Sequence, residues 1–274
     1  MTAEELIAGT VLPIDKPLQW TSFQAVNKVK SIIRNLFGLK KFKIGHAGTL
    51  DPLATGLLLV CVGRATKSIE QLQLGAKVYS GTMVLGATTP CYDLEQAIDH
   101  FYTFGHIDRT LIEKACQQFV GDIEQVPPVF SAVKIDGQRS YMFAREGTPD
   151  TVPDAKKIHI DSFEITAFRP GKDGESLPAA TESIKHTAEG QRNPQLYNNP
   201  QGIVPPNLPQ IDFRITCGKG TYIRSIARDM GIALNCGAFL SSLRRERIGE
   251  YTIEQALDLS NVETFIKNTS YIKK

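Results

Sequence analysis

One carboxylate stands apart in the stretch from Lys43 to Val62, KIGHAGTLDPLATGLLLVCV. Asp51 precedes Pro52, and a following proline steers a residue away from helical φ/ψ towards an extended or turn shape. Gly45 and Gly48, lacking a Cβ, let the backbone turn and approach a ligand closely. Leu57 to Val62 is continuously apolar up to Gly63, the pattern of a buried strand. The acid is therefore held on a constrained loop that runs into the core, and loops braced by rigid elements are where catalytic groups tend to lie. The alternative is an ordinary turn, with the carboxylate accepting bonds from nearby backbone N–H groups. His46, beside it, is either functional or simply packed.

The remaining candidates are cationic. No acidic residue lies between Lys16 and Asp51, a span that contains Lys28, Lys30, Arg34, Lys40, Lys41 and Lys43. Further clusters are Lys219, Arg224 and Arg228, then Arg244, Arg245 and Arg247. Either these are solvated faces or folding gathers them into a phosphate-binding surface. The net charge of +2 by itself excludes neither. The 5 cysteines include no C-x-x-C pair, and no histidine lies at zinc-ligand spacing, so they read as reduced packing residues of an intracellular protein.

The elements that must position these groups follow from periodicity. Thr10 to Asp15 predicts a strand and KPLQW a turn. Ser22 is a candidate N-cap for a helix with Val26, Val29, Ile33 and Leu36 on one face, Lys28 and Arg34 on the other, and Gly38 at its end. Ala65 to Leu74 reads as helical and Ala76 to Gly86 as an alternating strand. Ile107 to Val120 reads as a helix capped by Asp108 or Thr110, with Leu111, Ala115 and Phe119 inside and Gly121 as its stop. After Pro127-Pro128, Val129 to Ile135 predicts a strand, Asp136-Gly137 a hairpin turn and Ser140 to Glu146 a short helix. Lys157 to Phe168 alternates apolar and polar residues and predicts one or two half-buried strands, and Ile211 to Cys217 predicts another. Thr221 is a candidate cap for a helix carrying Tyr222, Arg224, Ile226 and Arg228. Phe239 to Tyr251 reads as a strand entering a hairpin.

At 274 residues and 42% hydrophobic content the chain can bury a sizeable core. The N-terminus lacks the apolar segment of a signal peptide, and no apolar run approaches the roughly 20 residues of a membrane span. A cytoplasmic protein with no membrane association is expected. Pro170 to Pro209, rich in Pro, Asn, Gln and Gly, reads as a long insertion between strands, either a passive loop or an arm that orders on a partner. No repeats are found, and GRATKS lacks the spacing of a P-loop.

Five blocks, in order, resemble the TruB family of tRNA pseudouridine synthases: GHAGTLDPLATGLLLVCVGRATK, KVYSGTMVLG, QVPPVFSAVKIDGQRSYMFAR, CGKGTYIRSIARDMG and LRRERIG. The resemblance covers Val11 to about Tyr251, the insertion excepted. It implies an α+β pseudouridine synthase fold, a mixed and mostly antiparallel sheet with flanking helices and a central catalytic cleft. It implies isomerisation of the uridine at position 55 in the tRNA T loop without a cofactor or metal, because the bond broken and the bond made lie in one nucleotide. Asp51 matches the catalytic aspartate, acting as nucleophile or as base towards the ribose. Tyr79 matches the aromatic that stacks on the target base. Arg224 matches the arginine that pairs with the aspartate and would keep it charged and oriented. His46 matches a residue that contacts the RNA where the nucleotide leaves the stack. Lys77, Tyr222 and Leu243 match further pocket positions, and Lys43 and Arg244 would meet the RNA. Flipping the base costs about a few kcal/mol, and stacking on Tyr79 would offset roughly 1–3 kcal/mol of that.

The implied organisation is a catalytic domain over residues 1–251, with the insertion at 170–209, and a short tail over 252–274 in place of the PUA domain that many members carry. A monomer that acts on the T arm without an obligatory protein partner is expected. The alternatives are a tRNA-folding chaperone, for which an intact Asp51 has no chemical use, and a guide-RNA-dependent synthase subunit.

Overall fold

The computed structural model describes residues 1–128, 134–135, 138–139, 153–172 and 204–271. In chain order the elements are α1 (Ala3–Gly9), β1 (Thr10–Lys16), α2 (Ser22–Phe37), β2 (Ile44–Ala47), β3 (Ala54–Val62), α3 (Ile69–Leu72), β4 (Lys77–Leu85), β5 (Ala87–Thr88), β6 (His100–Phe101), α4 (Arg109–Gln117), β7 (Gly121–Gln125), β8 (Lys134–Ile135), β9 (Gln138–Arg139), β10 (Lys156–Arg169), β11 (Gln210–Cys217), α5 (Ile223–Ala233), β12 (Ala238–Ile248), β13 (Tyr251–Thr252), β14 (Leu257–Asp258) and α6 (Val262–Tyr271). Helices and a mixed, mostly antiparallel set of strands make this an α+β fold. The chain divides into two compact units, residues 1–79 with 243–274, and residues 80–242.

The first unit is organised on β3, whose apolar run is buried from Leu57 through Val62. β1 lies antiparallel along one edge, Thr10 opposite Val62 and Lys16 opposite Gly56. Two strands divide the other edge. β2 pairs antiparallel with residues 59–62, and β12 pairs in parallel with residues 54–56. Leu57 and Leu58 fall between them. The loop from β2 to β3, residues 48–53, carries Asp51 past this gap. Residues 252–274 belong to the same unit: Leu257 and Asp258 add a parallel strand to β1, and the N-terminal ammonium donates to the Ile266 carbonyl of α6 at 2.6 Å. Ala47, Leu57, Leu59 and Ile248 form one buried cluster, joined by Val11, Ile69 and Tyr251.

In the second unit β4, β11, β10 and β7 lie side by side in that order. β10 is antiparallel to β11, with two irregularities in register, and antiparallel to β7. Val84, Phe104, Leu208 and Phe239 lie in one buried cluster. Phe163 meets both Phe119 and Phe213 edge-on, ring centroids 6.0 and 5.9 Å away.

Several local expectations shift by a residue or a face. The cap of α2 is Thr21, in a capping box with Gln24, while Ser22 is the first helical residue and turns inward. Gly38 ends the helix in the left-handed conformation, φ 65°, as a glycine can without strain. Asp108 caps α4, but the buried residues include Ile112 and Cys116 rather than Leu111. The cap position of α5 is Tyr222, with no side-chain cap bond, and Thr221 bonds the Gly218 carbonyl instead. α4 runs only from Arg109 to Gln117, with Gln118 as its cap, so it ends before Gly121, which instead opens a strand that the polar GDIEQ pattern does not announce. Lys134–Ile135 and Gln138–Arg139 pair as the expected hairpin. Its Asp136-Gly137 turn, the Ser140 to Glu146 helix and residues 173–203 of the insertion lie outside the described residues.

Candidate active site

Asp51 sits on a loop whose backbone is fastened on all sides by groups within the first unit. Its own carbonyl accepts from Ala54 N–H at 3.1 Å. The buried Ser22 hydroxyl holds both polar groups of Leu50, accepting from its N–H at 2.8 Å and donating to its carbonyl at 3.1 Å. The Pro52 carbonyl accepts from Gln19 N–H at 2.8 Å and from Lys16 Nζ at 3.4 Å. Arg245 takes the other end of the loop. Its Nη2 donates to the Gly48 carbonyl at 2.9 Å, its Nη1 to Thr49 at 3.4 Å, and its Nε to Leu57 at 2.8 Å. Gly48 has φ 94°, which a residue with a Cβ adopts only with strain.

Lys16 is a fully buried cation. Besides Pro52 it donates to the carbonyls of Pro17 at 2.9 Å and Trp20 at 2.6 Å. Burial lowers its pKa to about 8, with Arg245 pushing the same way and Asp51 and Asp15 opposing. The lysine and the carboxylate of Asp51 therefore feel each other's charge. His46, on β2, has its pKa lowered by burial first and by Arg245 second, against a bond to the Gly48 backbone. Burial thus favours the neutral ring, and its buried Nδ1 has no hydrogen-bond partner among the described residues.

Lys43 is exposed just before β2. Leu243 and Arg244 lie on β12 opposite Ala54 and Thr55. Arg244 forms a two-pronged pair with Asp15, at 3.1 and 2.6 Å. Lys77 and Tyr79, at the start of β4, are largely buried, and Lys77 Nζ donates to the Gln73 carbonyl. The first unit thus gathers seven of the nine expected residues: His46, Asp51, Lys43, Lys77, Tyr79, Leu243 and Arg244.

The other two, Tyr222 and Arg224, belong to the second unit. The buried Gln125 amide holds the backbone of Tyr222 from both sides, at 2.8 and 3.2 Å. Arg224 is buried, with Nε 3.6 Å from Asp93 Oδ2 and Nη1 donating to the Cys91 carbonyl at 3.3 Å. Asp93 also accepts from Glu95 N–H at 2.9 Å and from the Cys91 thiol at 3.0 Å. Burial, then the Asp93 charge, pushes that thiol up to about 12. All five cysteines are buried thiols. Among the described residues no group of three His, Cys, Asp or Glu side chains could hold a metal ion.

Sequence reasoning missed Lys16, Ser22, Arg245, Asp93 and Gln125 as positioning groups. Only for Ser22 was there a local signal: the capping box Thr21-x-x-Gln24 frees Ser22 from the cap position.

The chain matches two family models, the TruB family pseudouridylate synthase N-terminal domain over residues 34–187 and the tRNA pseudouridylate synthase B C-terminal domain over residues 224–274. It is 47% identical over 264 residues to the tRNA pseudouridine synthase B of Flavobacterium johnsoniae, covering 96% of this chain and 98% of the relative. It is 46% identical over 257 residues to that of Phocaeicola vulgatus, covering 94% and 92%. Among solved structures, a chain of a Cbf5-Nop10-Gar1 complex superposes with a TM-score of 0.61 at 24% identity. That match covers 97% of this chain and spans 57% of the solved one. A similar fold is shared with a chain of an archaeal box H/ACA sRNP Nop10-Cbf5 complex, TM-score 0.59 at 22% identity, over 98% of this chain and 58% of the other.

Proposed function

Because the chain belongs to the TruB family of pseudouridylate synthases, we propose that it isomerises uridine to pseudouridine at position 55 in the T loop of tRNA. The C1′–N1 bond of the uridine breaks, the uracil turns, and C5 joins C1′; C5 gives up a proton and N1 gains one. Product and substrate are isomers, so the balance needs no co-reactant or cofactor. Asp51 acts on the ribose, as nucleophile or as base. Tyr79 stacks on the extruded uracil, where stacking is worth roughly 1–3 kcal/mol. Arg224 is the cationic partner of the carboxylate. His46, Lys43, Lys77, Tyr222, Leu243 and Arg244 contact the RNA, and the exposed lysines and arginines of residues 28–43 follow its phosphates, which makes binding salt-dependent.

The observation that carries this reading is the bracing of the Asp51 loop. Ser22, Lys16 and Arg245 hold the polar backbone groups of residues 48, 49, 50 and 52. A protein that only opened and closed RNA would have no use for a carboxylate held this firmly. No helix among the described residues is long and apolar enough to cross a membrane. The working form proposed is a cytoplasmic monomer that needs no protein partner or guide RNA.

The test is tritium release from [5-³H]uridine-labelled tRNA by the purified chain and its Asp51→Asn variant, without added cofactor. Release by the wild type alone, mapped to position 55, is expected, with tRNA binding retained in the variant. Absence of release by the wild type, with tRNA still bound, overturns the reading in favour of the chaperone or guide-dependent roles. Loss of binding in a folded Asp51→Asn overturns the role given to Asp51.

A further inference from the structure

Arg245 is 1% exposed and lies on β12 opposite Gly56. Its main chain and its side chain are both tied to the catalytic loop and its strand. A Cβ on Gly56 would come within 2.3 Å of the Arg245 carbonyl oxygen, so only glycine lets the two strands approach this closely. The side chain then fills the gap on β3 that neither β2 nor β12 reaches. Nε serves the Leu57 carbonyl there, and the two Nη groups serve Gly48 and Thr49, at the beginning of the loop. Three carbonyls that point at one spot from two separate segments need donors spread over a rigid plane. A guanidinium supplies these, and a lysine ammonium, a compact point charge on a flexible stem, does not. The loop also closes over the fork: a Cβ on Gly48 would sit 3.4 Å from Nη1. Lys16 and Asp15 on β1, Asp51 on the loop and His46 on β2 are charged or titratable groups of the same region, and the Arg245 charge lowers the pKa of both Lys16 and His46.

We propose that Arg245 is a positioning residue for the reaction: its three-way hold on Gly48, Thr49 and Leu57 fixes where the loop presents Asp51 to the ribose. The inference rests on the isomerase reading above. Arg245 makes its bonds to the loop backbone, so its loss acts on turnover and leaves RNA affinity alone. Ångström-scale misplacement of a reacting group costs on the order of 100-fold in rate.

The experiment measures single-turnover rates and hairpin affinity on a labelled T-arm hairpin for wild type, Arg245→Lys, Gly48→Ala and the double variant, with thermal melts to establish folding. Arg245→Lys keeps the charge and loses the fork. Gly48→Ala disturbs the same contact from the loop side, through its Cβ and its φ of 94°. Each single variant is expected to slow turnover by roughly 10- to 100-fold with the dissociation constant within about two-fold. The double variant is expected to be no slower than the worse single, since both remove one contact. A wild-type rate in folded Arg245→Lys overturns the proposal, as do losses that multiply in the double variant. Should Arg245→Lys not fold, a wild-type rate in Gly48→Ala overturns it equally. An inactive wild type that still binds the hairpin instead overturns the isomerase reading, which separates the two failures.

Discussion

Replacing Lys16 by methionine should remove a contribution that raises stability with pH just above neutrality. The lysine is fully buried, and burial lowers its pKa from 10.5 to about 8. In the unfolded chain the amine keeps its proton up to 10.5, whereas in the fold it begins to lose it near 8. Between those values the unfolded state binds more protons, so stability rises with pH. Below 8 the cost of holding the cation in the core is fully present, at about 3 kcal/mol for the whole gap. By pH 9 about 1 kcal/mol of it is relieved. Above pH 9 the signal is confounded, because burial raises Cys61 and Cys236 to about 11 and Cys91 and Cys116 to about 12. These thiols keep protons longer folded than unfolded, and stability falls as pH climbs past their ordinary value.

Urea unfolding at pH 7, 8 and 9 on wild type and Lys16→Met therefore isolates the lysine, since every other titrating group is common to both. The wild type should gain about 1 kcal/mol more than the variant between pH 7 and 9. The slope carries the test, because the offset at any one pH also contains the Pro17, Trp20 and Pro52 carbonyls that the ammonium leaves behind. Parallel lines for the two proteins would refute the reasoning, since they mean that folding does not perturb the Lys16 proton.

Ser22→Ala should destabilise by about 1–3 kcal/mol, because it leaves the buried N–H and carbonyl of Leu50 without their shared partner; urea midpoints at constant slope measure it. Asp93→Asn should destabilise by about 1–3 kcal/mol, read the same way, since it takes a charged acceptor away from the buried Arg224 guanidinium and the buried Cys91 thiol.

The parts of the site legible in the sequence are those whose physics is local. Pro52 restricts Asp51 through one peptide bond, the run from Leu57 to Val62 has no polar residue to turn outward, and Gly38 stops α2 because it alone at that point tolerates φ 65°. What failed to show was partnership across the chain. A lysine in DKPLQW reads as a surface residue of a turn, and nothing within six residues says that three carbonyls turn inward to meet it. Ser22 reaches Leu50 over 28 residues and Arg245 reaches Gly48 over 197. β7 shows the same limit in a strand: GDIEQ has one strongly apolar residue, and its pairing comes from β10, more than thirty residues later. The division has a physical reason. The reacting group must be placed by a stiff local backbone, and that stiffness leaves a local trace. The groups that keep the loop in place must come from rigid elements elsewhere, because a loop cannot brace itself: its own side chains move with it. β1, α2 and β12 each contribute one such group, Lys16, Ser22 and Arg245, and each is anchored in an element that pairs or packs independently of the loop. A substitution that removes any of the three should therefore leave the strands intact and loosen the carboxylate, which is why turnover and loop stability, rather than RNA affinity, are the quantities expected to respond.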